Sequence, residues 1–170
     1  MTPDGCATAL APLFEGAPRL LARLCAARPF GDADRLFAAA RRIAHGMPVA
    51  EQVELIDAHP RLGAPPASVS ARSFVEQGYE RAATAVAVAD AAADAEAERL
   101  RVAAELDRLN VAYEARFGFR YCVFVAGRSR ADLLPDFEAA VSADPDVERV
   151  RAIEAVVDIA ADRWQMSGGL

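Results

Sequence analysis

The sequence predicts an all-α protein, a single-domain helical bundle crossed by one extended strap. Three observations predict it. Forty of the 170 residues are alanine, which favours helix and fills close helix contacts while burying little area. Only 7% of residues are aromatic, too few large anchors for a sandwich or barrel. Apolar residues recur at helical spacing through most of the chain. A core of this size buries roughly 70% of the surface of the unfolded chain, so the fold needs no staple.

Residues 6–14 and 17–27 carry leucine and alanine at helical spacing, with Pro18 suited to a first turn. Arg28-Pro29-Phe30 breaks the pattern. Asp32 then caps a helix containing Leu36, Phe37 and Ile43 that ends near Gly46, with His45 read as part of its cap. Pro48 opens another helix, striped by Val49, Val53 and Ile56. It ends at His59-Pro60 because a residue before proline disfavours helix. Residues 61–68 form an irregular connection. A long helical stretch runs from about Val69 to Arg116, and its middle, Ala82 to Glu98, is an alanine-rich extension. Asp90, Asp94 and Glu98 recur every four residues there and make one wet, acidic face. Gly118 to Gly127 is aromatic and β-branched, bounded by glycines, but no second segment could pair with it, so it reads as a strap between helices. Helices over about 130–142 and 145–165 follow. The last opens at Asp144-Pro145, with Val147, Val150, Ile153, Val157 and Ala161 as its stripe. One domain spans 1–170.

Charge and residue inventory exclude several function classes. The formal net charge is -6, and all 19 cations are arginine. No basic face suggests a nucleic-acid partner, and without lysine no side chain can form a Schiff base. Cys6, Cys25 and Cys122 are an odd set at spacings that fit neither a disulfide framework nor a zinc site. No signal region and no run of 18 apolar residues are evident, so the sequence reads as a cytoplasmic protein without a membrane partner. Two histidines without a Glu-x-x-His pair cannot ligate a di-iron bundle. No glycine-rich phosphate loop or G-x-S-x-G elbow is present.

The remaining polar candidates are few. His59 is the natural proton-transfer group at neutral pH, although its position also suits a helix cap. Ser73, Glu76 and Gln77 stand at i, i+3 and i+4, sharing one helix face that is either solvated or able to meet a small polar ring. Arg163 precedes Trp164 on the last helix, where it is either a rim residue or a holder of an anion. Trp164 reads as a packing residue.

In order, Arg28-Pro29-Phe30, His59-Pro60-Arg61-Leu62-Gly63, Ser73-x-x-Glu76-Gln77 and Arg116-Phe117-Gly118-Phe119 resemble the 2-oxo-4-hydroxy-4-carboxy-5-ureidoimidazoline (OHCU) decarboxylases of urate breakdown. The resemblance covers about residues 10–165. It implies an all-helical, cofactor-free, usually homodimeric enzyme that converts OHCU, a small-molecule substrate, to (S)-allantoin. Carried over by motif, His59 and Glu76 are catalytic, and Pro60 lines the pocket. Ser73, Glu76 and Gln77 bind substrate. The strap residues Tyr121, Cys122, Val123, Phe124 and Val125 offer backbone groups to the substrate ring, and Arg163 holds the ligand. The chain departs from the family pattern by about three extra helical turns between Glu76 and Arg116, and by Arg120 where proline is expected. Two other classes fit the same residues: a decarboxylase of another small β-imino or β-keto acid, and a non-catalytic module binding through the acidic alanine-rich helix.

Overall fold

The computed structural model describes residues 3–65, 77 and 89–168. Among these, seven helices and no strands are found: α1 (Pro3–Leu10), α2 (Pro18–Ala26), α3 (Ala33–His45), α4 (Val49–Asp57), α5 (Ala89–Phe117), α6 (Arg130–Val141) and α7 (Pro145–Met166). The all-α expectation holds. The chain divides into two compact units, one of Met1–His59, Cys122–Phe124 and Asp144–Leu170, the other of Pro60–Tyr121 and Val125–Ala143.

In the first unit α1 packs on α2, α2 on α3, and both α3 and α4 on α7. Its core gathers Phe14, Leu20, Leu24, Ile56, Ile153 and Val156, all nearly fully buried. The caps follow from sequence. The Asp32 carboxylate accepts from the Arg35 N–H at 2.8 Å, and Asp144 accepts from the N–H groups of Asp146 and Val147. Gln52 is buried and its Nε2 donates to the carbonyls of Ala44, His45 and Met47, filling the end of α3. Three local expectations change. Helix α1 ends at Leu10 rather than Phe14, since Ala11 precedes Pro12. His45 is not a helix cap; its Nε2 meets Glu154 at 2.5 Å. Cys6 and Cys25 are joined by a disulfide, with Cα atoms 5.8 Å apart. The odd cysteine count concealed it, because pairing requires knowing that α1 lies on α2.

The second unit packs the 29-residue α5 against α6. Tyr113 of α5 is fully buried and meets Phe117, Phe119, Tyr121 and Phe137, with ring centroids 4.5–5.7 Å away. Tyr121 and Phe137 stack at 3.8 Å. Much of the unit's aromatic supply is therefore spent on one cluster that takes in Phe119 and Tyr121; the strap carries neither helix nor strand from Arg120 to Val125. The outer face of α5 is not purely acidic. Arg99, Arg101 and Arg108 each pair with the glutamate three residues earlier, which neutralises part of the acidic surface through pairs of small energetic weight.

Candidate active site

His59 lies two residues past the end of α4, where its backbone N–H still donates to the Ile56 carbonyl at 3.1 Å. Proline at 60 stops the helix there, which fixes the histidine at the helix end and leaves it 8% exposed. Burial is the main reason that the ring's pKa falls from 6.5 to about 4, and the positive charge of Arg163 adds to it. Hydrogen bonds to the carbonyls of Leu55 and Ile56 act in the opposite direction without offsetting the fall. His59 is therefore a neutral imidazole at neutral pH.

Arg163 reaches the interior through helical register. Val156 and Ala160, seven and three residues before it, lie on the buried face of α7, and Arg163 continues that face at 4% exposure. Its Nη1 donates to the Leu13 carbonyl at 3.1 Å. Leu13 belongs to the connector between α1 and α2, residues 11–17, which also touches α4. Gly16 sits there with φ +72°, and a Cβ added to it would lie 3.1 Å from the Cβ of Ala58. The connector thus lies against the residue before His59 and against Arg163 at once. Cys122 is buried, while Val123 and Phe124 are half-buried, in the same unit.

The second unit holds Pro60, Gln77, Tyr121 and Val125. Gln77 Oε1 accepts from the Gly63 N–H at 2.9 Å, and its Nε2 donates to the Arg61 carbonyl at 3.2 Å. Both ends of the Gln77 amide therefore serve the 61–63 loop in this conformation. Asn110, buried on α5, donates to the Leu62 carbonyl at 3.0 Å, and Arg61 Nε meets Glu114 at 2.6 Å. The loop after His59-Pro60 is gripped by three side chains. Tyr121 and Val125 are buried and Pro60 half-buried. Ser73 and Glu76 lie outside the described residues. Among those described, no three His, Cys, Asp or Glu side chains gather as a metal-binding group, and no helix is long and apolar enough to cross a membrane.

Sequence reasoning missed the Leu13 carbonyl and Asn110. The first carries no side-chain signal. Asn110 could have been noticed as an amide inside an apolar stripe between Leu106, Leu109 and Tyr113.

Comparison with known proteins places the chain in a family. The family model described as OHCU decarboxylase matches residues 1–165. The chain is 27% identical over 153 residues to the 2-oxo-4-hydroxy-4-carboxy-5-ureidoimidazoline decarboxylase of Amia calva, covering 90% of this chain and 82% of that protein. A crystal structure of OHCU decarboxylase in the presence of (S)-allantoin shares the fold at a TM-score of 0.64 and 22% identity, over 90% of this chain and 93% of that one. A structure of (S)-allantoin synthase does so at 0.62 and 19%, over 98% of this chain and 50% of the other. The all-helical architecture of the described residues and the family match together make this chain a member of the OHCU decarboxylase family, and a decarboxylase by enzyme class.

Proposed function

We propose that the chain, acting as one functional domain and without a cofactor, decarboxylates OHCU to (S)-allantoin in urate breakdown. The observation that carries the reading is a neutral, buried histidine held under the field of a buried arginine, in a member of this family.

OHCU carries a carboxylate and a hydroxyl on C4, beside a C5=N bond. As the bond from C4 to the carboxylate breaks, CO2 leaves and the freed electron pair forms C4=C5. The imine nitrogen takes the displaced pair and a proton from solvent. The enol then loses its hydroxyl proton, C4 becomes a carbonyl, and C5 gains a proton on one face. The substrate contains its own electron sink, so the protein supplies orientation, anion binding and a proton path.

In this reading Arg163 holds the carboxylate. A bound anion also offsets the positive field on His59, so the imidazole gains basicity as substrate binds. His59 then takes the C4 hydroxyl proton and delivers it to C5. The remaining roles rest on the motif. Glu76 either disfavours the charged carboxylate or relays a proton, and Ser73 and Gln77 meet the ring and ureido groups. Pro60 lines the pocket, and the backbone from Tyr121 through Cys122, Val123 and Phe124 to Val125 edges it. For Gln77 this role requires releasing the Gly63 and Arg61 backbone groups that it holds here.

The test generates OHCU in place from urate, using urate oxidase and hydroxyisourate hydrolase, and follows circular dichroism. Spontaneous decay gives racemic allantoin, so optical activity separates catalysis from background. Rapid formation of one enantiomer is expected. His59→Ala is expected to lower kcat by at least about 100-fold with little change in substrate affinity. Racemic product at the uncatalysed rate would move the search to other small imino or keto acids. A loss confined to KM would remove His59 from the proton path.

The reading extends to a homodimer, supported by Leu100 and Val111, each 63% exposed and eleven residues apart on one face of α5. It also extends to a cytoplasmic setting. Disulfides there are generally transient or redox-sensing, so the Cys6–Cys25 bond makes that setting conditional on a bond that opens and closes.

A further inference from the structure

The Cys6–Cys25 disulfide closes the α1–α2 hairpin across a sequence separation of 19 residues. Between its two ends runs the 11–17 connector. That connector supplies the Leu13 carbonyl to Arg163 and places Gly16 against Ala58, next to His59. Helix α1 packs chiefly on α2, so the covalent bridge is the strongest tie holding the N-terminal side of the connector in place. Both sulfur-bearing residues are buried. They nevertheless line a surface cavity of about 840 Å³, together with Leu10, Phe30, Leu36 and Trp164, the residue after Arg163. A small thiol would approach the bond from this cavity on the side of Cys25, which is 6% exposed against 0% for Cys6.

We infer that Cys6 and Cys25 are a positioning pair for Arg163, and that reduction of their disulfide by a small thiol weakens binding of the anionic substrate. In the redox step a reductant thiolate attacks one sulfur, the S–S bond breaks, and the other sulfur leaves as a thiolate that takes a proton. A second reductant thiol resolves the mixed disulfide. Both cysteines end as thiols and the reductant ends as its own disulfide. With the bridge open, the connector no longer fixes the Leu13 carbonyl, and the Arg163 guanidinium loses its anchored orientation. The inference rests on the reading of Arg163 as the group that holds the substrate carboxylate.

The test uses the full chain in oxidised, dithiothreitol-reduced and re-oxidised states. Titration of thiols in denaturant is expected to give one thiol per oxidised chain, Cys122, and three after reduction. Three thiols before reduction overturn the inference. Reduction is expected to raise KM by about tenfold, the cost of a weakened charge-assisted hydrogen bond. kcat should stay within about twofold, and re-oxidation should restore KM. Equal KM in the two states, or a fall confined to kcat, overturns it. The Cys6→Ala/Cys25→Ala variant should show the raised KM with and without reductant; if it fails to fold, the reversible comparison on the unmodified chain decides. If neither state turns OHCU over, the proposed function fails, and the positioning role is decided by hydrogen exchange. Faster exchange of the Leu13, Phe14 and Gly16 amides on reduction supports it, and unchanged exchange overturns it.

Discussion

His59 makes the stability of the fold depend on pH in a defined window. Its pKa is about 4 in the folded chain against 6.5 unfolded, so the unfolded state binds more protons between those values. The stability tied to the neutral ring is complete above pH 6.5 and is lost as pH falls to about 4, by on the order of 3 kcal/mol. Urea titrations of the parent and of His59→Gln across that window should converge as the pH drops; parallel curves would show that the ring is not depressed. The causes can also be separated. In Arg163→Gln the His59 ring, followed by NMR titration, should rise in pKa yet stay below 6.5, because burial is the larger cause. The His-Pro dipeptide announced this histidine, but not its neutral state. That state depends on how deeply the ring is buried and on Arg163, neither of which is a local property of the sequence. Arg163 was not legible from the stripe read in the sequence: Val147 and Val150 are exposed, and the buried face of α7 runs instead through Glu148, Ala152, Val156 and Ala160 to Arg163.

At the scale of elements, the connector 11–17 matters more than its sequence suggests. Gly16 takes a left-handed φ of +72°, and a methyl there would crowd the Ala58 Cβ at 3.1 Å. Gly16→Ala should therefore cost about 1–3 kcal/mol, from backbone strain and crowding together. Urea denaturation measures the loss, and a cost below about 0.5 kcal/mol would mean that the contact yields freely. Helix starts were legible wherever an aspartate stood ahead of the apolar stripe, as at Asp32 and Asp144, because capping is local chemistry. The grip of Gln77 and Asn110 on the 61–63 loop was not legible. It joins residues far apart in the chain, and Gln77 was read from its motif as a ligand for substrate. The disulfide escaped for the same reason.

For the whole molecule, fold class followed from composition and spacing: abundant alanine, few aromatics and continuous helical periodicity leave little alternative to packed helices. The strap was legible because a lone β-branched segment has nothing to pair with, and the Tyr113 cluster shows where its aromatic residues go. The division into two units was not legible, because each unit is assembled from separated stretches of chain without a linker to mark the change. Association belongs to this scale as well. If Leu100 and Val111 cover each other across a dimer, Leu100→Asp with Val111→Asp should shift the chain from dimer to monomer in sedimentation velocity, with its helix content retained. A dimer unaffected by both changes would place the interface elsewhere.

Trp164 is the only tryptophan in the chain. Its ring stands edge-on to Phe37 at 6.4 Å, half-buried, beside the cavity that the Cys6–Cys25 sulfurs line and one residue from Arg163. The chain thereby carries a single intrinsic fluorophore that lines the same cavity as the bridge and directly follows Arg163 in sequence. Emission excited in the indole band reports from one place only, so the opening of the hairpin and the arrival of a ligand can each be timed by stopped flow on the unlabelled protein.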